Sequence, residues 1–310
     1  MQTRKVFGIS VPDSSFTSIG INHGLSRWDL RSRHSRTIFL LRCSAWRISW
    51  LFSSVENLVE YKRILTHTLK LWRERGDGCQ VALTLESLSD TNRDMGLCKE
   101  GIQQAEEALG IFERLGDTTL QARCLINLAL LLHDDKQPDA GEEAASRAID
   151  LLLEKGQQAQ VCQGHYVLGK IYTSKDNTEK AIHHFEVALG ITSSLGAASR
   201  AFWIHFDLAK LFSREGRFND AHTRVKQAKS HAVNNPYLLA RASLLQAMFW
   251  YRQRMFEETR YEALRALGVF EKLGATSNAE RARKFLGRVD RNARGNDLAI
   301  SDESDDDLRW

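Results

Sequence analysis

Glycines at 76, 116, 156 and 196 stand 40 residues apart, Pro236 takes the next place, and Gly274 follows 38 later. Seven or eight residues ahead of each marker comes a small residue followed by an aliphatic one. The strong copies are Ala108-Leu109, Ala148-Ile149, Ala188-Leu189 and Ala266-Leu267, the weaker ones Thr68-Leu69 and Ala228-Lys229. A period of about 20 to 50 residues is the mark of a solenoid, in which each unit buries its apolar face only against its neighbours. Six such steps account for about 240 residues as one continuous body. Function then belongs to an extended surface rather than to one catalytic pocket.

Composition agrees. Only 3 prolines, with 43% hydrophobic and 26% charged residues, suit an all-helical globular protein. The net charge of +4 is too small to imply a nucleic-acid partner. It conceals two opposed ends: eight Lys/Arg against two Asp in residues 1–54, and six acids against Arg309 in residues 297–310. Cys43, Cys79, Cys98, Cys124 and Cys162 form no CxxC pair and are odd in number, so neither a disulfide framework nor a zinc site is favoured, and a reducing, cytoplasmic compartment is expected. The most apolar stretch, 37–52, is interrupted by Arg42 and Arg47 and is too short to cross a membrane. The Arg/Ser-rich start reads as an unstructured leader, with mitochondrial import as the minority alternative.

The segment from Cys162 to Gly196 shows one repeat in full. Leu168, Gly169 and Tyr172 share a helical face, Ser174 to Asn177 break the pattern, and Ala181, Phe185 and Ala188 form a second face. Gly169 and Ala181 let the two helices cross closely, with Tyr172 and Phe185 filling the remaining space. The next unit repeats this with Leu208, Ala209, Phe212, Ala221, Val225 and Ala228, and earlier ones with Leu128, Ala129, Ala145 and Ala148, or Leu88, Ser89, Ala105 and Ala108.

This pattern, L-G-x-x-Y followed by A-x-x-x-F-x-x-A, resembles the tetratricopeptide repeat. The 40-residue period exceeds that repeat's usual length of about 34. It resembles the long repeats of kinesin light chains and of fungal receptor-like proteins that join a nucleotide-binding switch domain to such an array. The expected fold is an all-α solenoid of five to six helical hairpins plus a C-terminal capping helix. The expected organisation is a basic, disordered leader over 1–37 and a degenerate first hairpin over 38–77. Repeats follow at 78–117, 118–157, 158–197, 198–236 and 237–274, then a capping helix over 275–292 and an acidic, disordered tail over 293–310.

Signals for chemistry fail on their own terms. Gly164 to Lys170 has the GxxxxGK spacing of a phosphate loop, but Ile171 replaces the magnesium-binding Ser or Thr, and the motif falls inside a helix instead of after a strand. Ten histidines include no HExxH, so no metal is expected and surface positions are. No GxSxG is present. Where a helical repeat reads RNA its groove repeats polar readers, whereas here Glu86 and Asp90 give way to Ile126 and Leu130. The chain reads as no enzyme, with no cofactor, no nucleic acid and no membrane partner.

The resemblance implies that the first helix of each hairpin lines a concave groove. Carried over by position, the partner-binding residues are Glu86, Asp90, Asn127, Tyr166, Lys170, Trp203, Phe206, Asp207, Lys210, Arg241, Met248 and Tyr251. Tyr166, Trp203, Phe206 and Tyr251 are expected as exposed aromatic anchors. Leu83, Ile126 and Leu244 are expected to pack between hairpins. The carboxylate clamp of chaperone-binding repeats is rejected, since Glu86, Asp90, Gln163 and Val167 stand where cations and Asn are needed. The expected function is a non-catalytic scaffold holding a peptide or helical segment of a protein partner, its acidic end toward Lys170, Lys210 and Arg241. The alternatives are a detached ligand-sensing array of a fungal receptor-like protein, or an enzyme or nucleic-acid-binding repeat. The acidic stretch Ser301 to Asp307 is a candidate to fold back on that basic strip.

Overall fold

Two sharp chain reversals recur in each 40-residue step, and both use the same bonds. The computed structural model describes Thr3–Val6, Ile9–Pro12 and residues 55–293. Its helices are α1 (Val55–Arg75), α2 (Gly78–Asp94), α3 (Cys98–Leu115), α4 (Thr118–Asp134), α5 (Pro138–Leu153), α6 (Gln158–Ser174), α7 (Thr178–Leu195), α8 (Ala198–Arg214), α9 (Phe218–His231), α10 (Pro236–Arg252), α11 (Phe256–Lys272) and α12 (Thr276–Ala293). Within the hairpins the chain turns through left-handed residues at Gly96, Lys136, Asp176, Gly216 and Arg254. The following amide reaches back five residues each time: Leu97 to Asn92 (2.7 Å), Gln137 to Leu132 (2.8 Å), Asn177 to Tyr172 (3.0 Å), Arg217 to Phe212 (2.8 Å) and Met255 to Trp250 (2.9 Å). This is the Schellman closure. The glycines that first revealed the period close the second helix of most hairpins in the same way, and Asp77 and Asp117 then cap the next helix through their side chains, as Asn177 does within a hairpin and Asn235 at the start of α10.

The 38-residue step runs from Ala198, which opens α8, to Pro236, which opens α10: α9 is only 14 residues long, where its counterparts have 16 to 18, and Asn235 with Pro236 restarts the chain without a left-handed glycine.

The helices form an all-α solenoid of packed consecutive hairpins, α2 with α3, α4 with α5, α6 with α7, α8 with α9, and α10 with α11, with α12 against α11. Although the repeat reads as one continuous body, the contacts group into two compact units, one ending at Gln157 and holding α1–α5, the other starting at Gln158 and holding α6–α12. A two-stranded antiparallel sheet pairs β1 (Thr3–Val6) with β2 (Ile9–Pro12), Val6 opposite Ile9. These eight residues lie within the leader, and Val6, Ile9 and Val11 supply β-branched side chains to the pair. The rest of that leader, the first half of the degenerate hairpin, and the acidic tail lie outside the described residues.

Small residues occupy the crossings. Ser89, Ala129, Ala209 and Ala247 on first helices, and Ala181, Ala221 and Thr259 on second helices, are all 0% exposed. A Cβ on Gly101 would come within 2.6 Å of Leu131 and 3.1 Å of the Ser89 carbonyl oxygen. Gly169 is more confined still, because the Phe185 ring lies where its Cβ would be, 2.6 Å away. The Gly169 that resembles part of a phosphate loop is thus a packing residue inside α6. Around these crossings, polar contacts also run one step along the chain. In the first unit they include Lys62–Glu100 (2.7 Å) and Arg73–Glu107 (2.6 Å). In the second, Arg214 reaches the Thr173 carbonyl (3.0 Å) and Asn278 reaches Tyr237 (3.0 Å).

Ala188 is fully buried, so Ala188→Trp is expected to destabilise the fold by about 1 to 3 kcal/mol or more through overpacking. Glu113→Gln only trims an exposed ion pair with Arg147 and is expected to cost under about 1 kcal/mol. Urea unfolding of the two variants checks the contrast.

Candidate functional site

In the first unit, the residues placed in the groove by position turn out to be structural. Glu86 is 9% exposed and receives both arms of Arg123, at 2.7 and 2.5 Å. Both Glu86 oxygens are thereby satisfied, and the Arg123 guanidinium covers the carboxylate. Asn127 is 5% exposed, donates to Ser89 Oγ at 3.3 Å and accepts from Arg93 at 3.4 Å. Asp90 is half-buried. Ile126 is buried, as its packing role requires, while Leu83 remains half-exposed.

In the second unit the first helices α6, α8 and α10 share a face of a different kind. Tyr166, Lys170, Trp203, Asp207, Lys210 and Arg241 are all half-exposed on it. Tyr166 donates to Asp207 at 2.6 Å across one repeat, and Lys210 lies 3.7 Å from the same carboxylate. The Arg241 guanidinium sits 4.5 Å over the Trp203 ring, with Phe206 and Tyr237 at 5.6 and 5.9 Å. Such a cation–π contact is worth about 0.5 to 2 kcal/mol. Burial pulls the Arg241 pKa down, opposed by Tyr237 and Asp207 and reinforced by the positive charge of Arg281. An open hollow of about 790 Å³ runs between α6 and the start of α8, lined by Gln163, Tyr166, Ser199, Arg200 and Trp203 together with the turn at Gly196 to Ala198. Arg200 bonds the Ala159 carbonyl oxygen at 3.1 Å and so ties the two sides of this hollow.

Two expected anchors, Phe206 and Tyr251, and the groove residue Met248 are withdrawn from the surface. Phe206 is 1% exposed, Tyr251 5% and Met248 9%. Phe206 stacks on Phe202, and Tyr251 meets Phe256 and Phe285 edge-on while accepting from Asn292 at 2.5 Å. The physical reason is angular: at about 100° per residue, Phe206 is turned off the stripe that carries its neighbour Asp207, and it packs on Phe202, while Tyr251 is turned toward Phe285 of α12. Sequence spacing missed Arg200, Ser199 and Tyr237, because the hollow depends on the turn before α8 and on the start of α10. The 40-residue alignment alone does reveal Arg281 as the counterpart of Arg241.

The histidines are not simply on the surface either. His184 stacks on Tyr172 and meets the His165 ring through an Nδ1–Nδ1 contact of 3.0 Å. His205 is 7% exposed, and burial beside Arg224 and His231 pushes its pKa down to about 4. Burial lowers His165 and His222 as well. Burial also pushes the Cys124 thiol up to about 12 and raises Cys79, Cys98 and Cys162, so none of these is an activated nucleophile. Among the described residues there is no group of three or more His, Cys, Asp or Glu that could hold a metal, and no helix long and apolar enough to cross a membrane.

The family model for soluble NSF attachment protein, SNAP, matches residues 106–298, more than half of the chain, and the chain belongs to that family. Among solved structures, a Rap protein complexed with Competence and Sporulation Factor shares 12% identity at a TM-score of 0.65, over 91% of this chain and 82% of that one. A signal-transduction ATPase with numerous domains and a tetratricopeptide-repeat sensor, from Pyrococcus horikoshii, shares 13% at 0.62, over 84% of this chain and 41% of that one. The tetratricopeptide-like repeats of a Podospora anserina putative kinesin light chain share 11% at 0.50, over 64% and 97%. No curated protein gives a significant match. The repeat type read from L-G-x-x-Y stands, and the family is SNAP.

A histidine held neutral by the fold contributes stability that is complete above its unfolded pKa of 6.5 and is lost as pH falls from there toward about 4. The thermal midpoint is therefore expected to fall between pH 7 and pH 4.5, and His205→Phe to flatten part of that slope. Calorimetry over this range checks it, and an unchanged slope would rule out His205 as a source.

Proposed function

We propose that this chain is a non-catalytic interaction scaffold that holds a peptide or helical segment of a protein partner on the first-helix face of its second unit. The observation that carries the reading is the half-exposed Trp203, held under Arg241 at the rim of an open hollow of about 790 Å³. Rigid aromatics beside fixed charges are what protein interfaces use as anchors, since little side-chain freedom is lost when a partner covers them. Tyr166 fixed to Asp207 is a second such anchor. Two comparisons support a binding role: the family's name is that of an attachment protein, and the Rap neighbour carries a bound factor. The absence of catalysis is part of the proposal, supported by thiols held protonated and by a site open to water.

A second reading, the ligand-sensing array of a larger switch protein, draws support from the Pyrococcus neighbour, of which this chain spans less than half. It would use the same face.

Phe206 is unsuitable for testing this surface, because its burial means that truncation would disturb the core. Trp203→Ala and Lys210→Glu are the informative changes. Affinity capture from the native host is expected to lose the face's partners at least tenfold with either variant and to retain them with Glu113→Gln on an outer helix. A partner set unaffected by both variants would overturn the reading.

A further inference from the structure

The exposed positions of the first helices change character along the second unit. The place held by Gln163 on α6 is Trp203 on α8, Arg241 on α10 and Arg281 on α12, while the place held by Lys170 is Lys210 on α8 and Arg288 on α12. All but the buried Met248 in this double row are half-exposed. Five cations thus stand in register on one face, with Asp207 as the acid among them, already engaged by Tyr166 and Lys210. The chain leaving α12 at Ala293 carries Asp297, Asp302, Glu303, Asp305, Asp306 and Asp307.

Resting on the reading of this face as a docking surface, we propose that its resident occupant is the chain's own acidic segment Ser301 to Asp307, which a partner must displace. Charge complementarity gives the match, and covalent connection gives the advantage. Asp302 lies nine residues past Ala293, about 30 Å of extended chain, and two repeat steps from α12 to α8 span about 20 Å at ordinary helix spacing. The cations of α12, α10 and α8 are therefore within reach. A short tether supplies an effective concentration near ~1 mM, so a segment that binds in trans with a Kd near ~0.1 mM occupies its site about ten times out of eleven. Multiple ion pairs at partly exposed sites weaken steeply with salt, so occupancy is conditional, as a displaceable cover requires. Trp203 and Tyr166 would remain for the partner's apolar anchors, and the acidic segment would withhold only the cations.

The test uses the full chain and a full-length variant with Asp302→Asn, Glu303→Gln, Asp305→Asn, Asp306→Asn and Asp307→Asn. The probe is a fluorescein-labelled synthetic peptide of residues 297–310, followed by anisotropy. The proposal expects the neutralised chain to bind the peptide about tenfold more tightly than the native chain in 50 mM salt. The gap should vanish in 0.5 M salt, and binding should be lost when Lys210→Glu and Arg281→Glu, one on α8 and one on α12, are added, with circular dichroism unchanged. Equal affinity for both chains would overturn self-occupancy while leaving the face a binding surface. No binding to either chain would overturn the proposal, and the Trp203 capture, which does not involve the acidic segment, would still judge the scaffold reading. Retention of binding after both charge reversals would overturn it too, by moving the peptide elsewhere.

Discussion

Everything in this molecule depends on two helices being able to touch backbone to backbone at the middle of each hairpin. At Gly101 the Ser89 carbonyl oxygen would lie 3.1 Å from a Cβ, and at Gly169 the Phe185 ring lies against the bare backbone. Close approach lets larger neighbours interdigitate above and below, and volume is traded locally: Phe185 takes the space that Gly169 leaves empty. The turns beyond each crossing are then closed by recurring Schellman bonds. The face of first helices follows as a geometric consequence. Residues spaced by one period stand side by side, which is why Tyr166 can bond Asp207 and Arg241 can cover Trp203.

The architecture was legible because it is periodic. Small residues, glycine turns and Asp or Asn caps recur in the sequence at intervals that only stacked hairpins explain. The second set of turns was less visible, since Lys136, Asp176 and Arg254 adopt the left-handed conformation without being glycine. Their positions are dictated by the bonds around them and not by their own preference. The grouping of helices into two units leaves no trace in the spacing, which continues unchanged past Gln157.

The candidate site was legible only in part. Of the residues placed by position, Tyr166, Lys170, Trp203, Asp207, Lys210 and Arg241 are half-exposed, with Tyr166 and Lys210 on Asp207 and Arg241 on Trp203. Position failed for Phe206 and Tyr251, which are turned round the helix off the exposed stripe and covered by neighbouring rings, and for Met248, which is buried although it occupies the place held by Lys170 and Lys210. It failed differently for Glu86 and Asn127, whose polarity suggested a ligand when their partners were Arg123, Arg93 and Ser89 within the protein. Polar residues buried between repeats must be satisfied there, and a pattern of residue types does not show by whom.

The sharpest measurement is the sign of one stability change. Alanine ordinarily stabilises a helix by up to about 1 kcal/mol relative to glycine, yet a Cβ on Gly169 would meet the Phe185 ring at 2.6 Å. Equilibrium urea unfolding of Gly169→Ala should show net destabilisation, with the sign reversed when Phe185→Leu is introduced beside it. A more stable Gly169→Ala in the otherwise native chain would contradict the account of how these hairpins close.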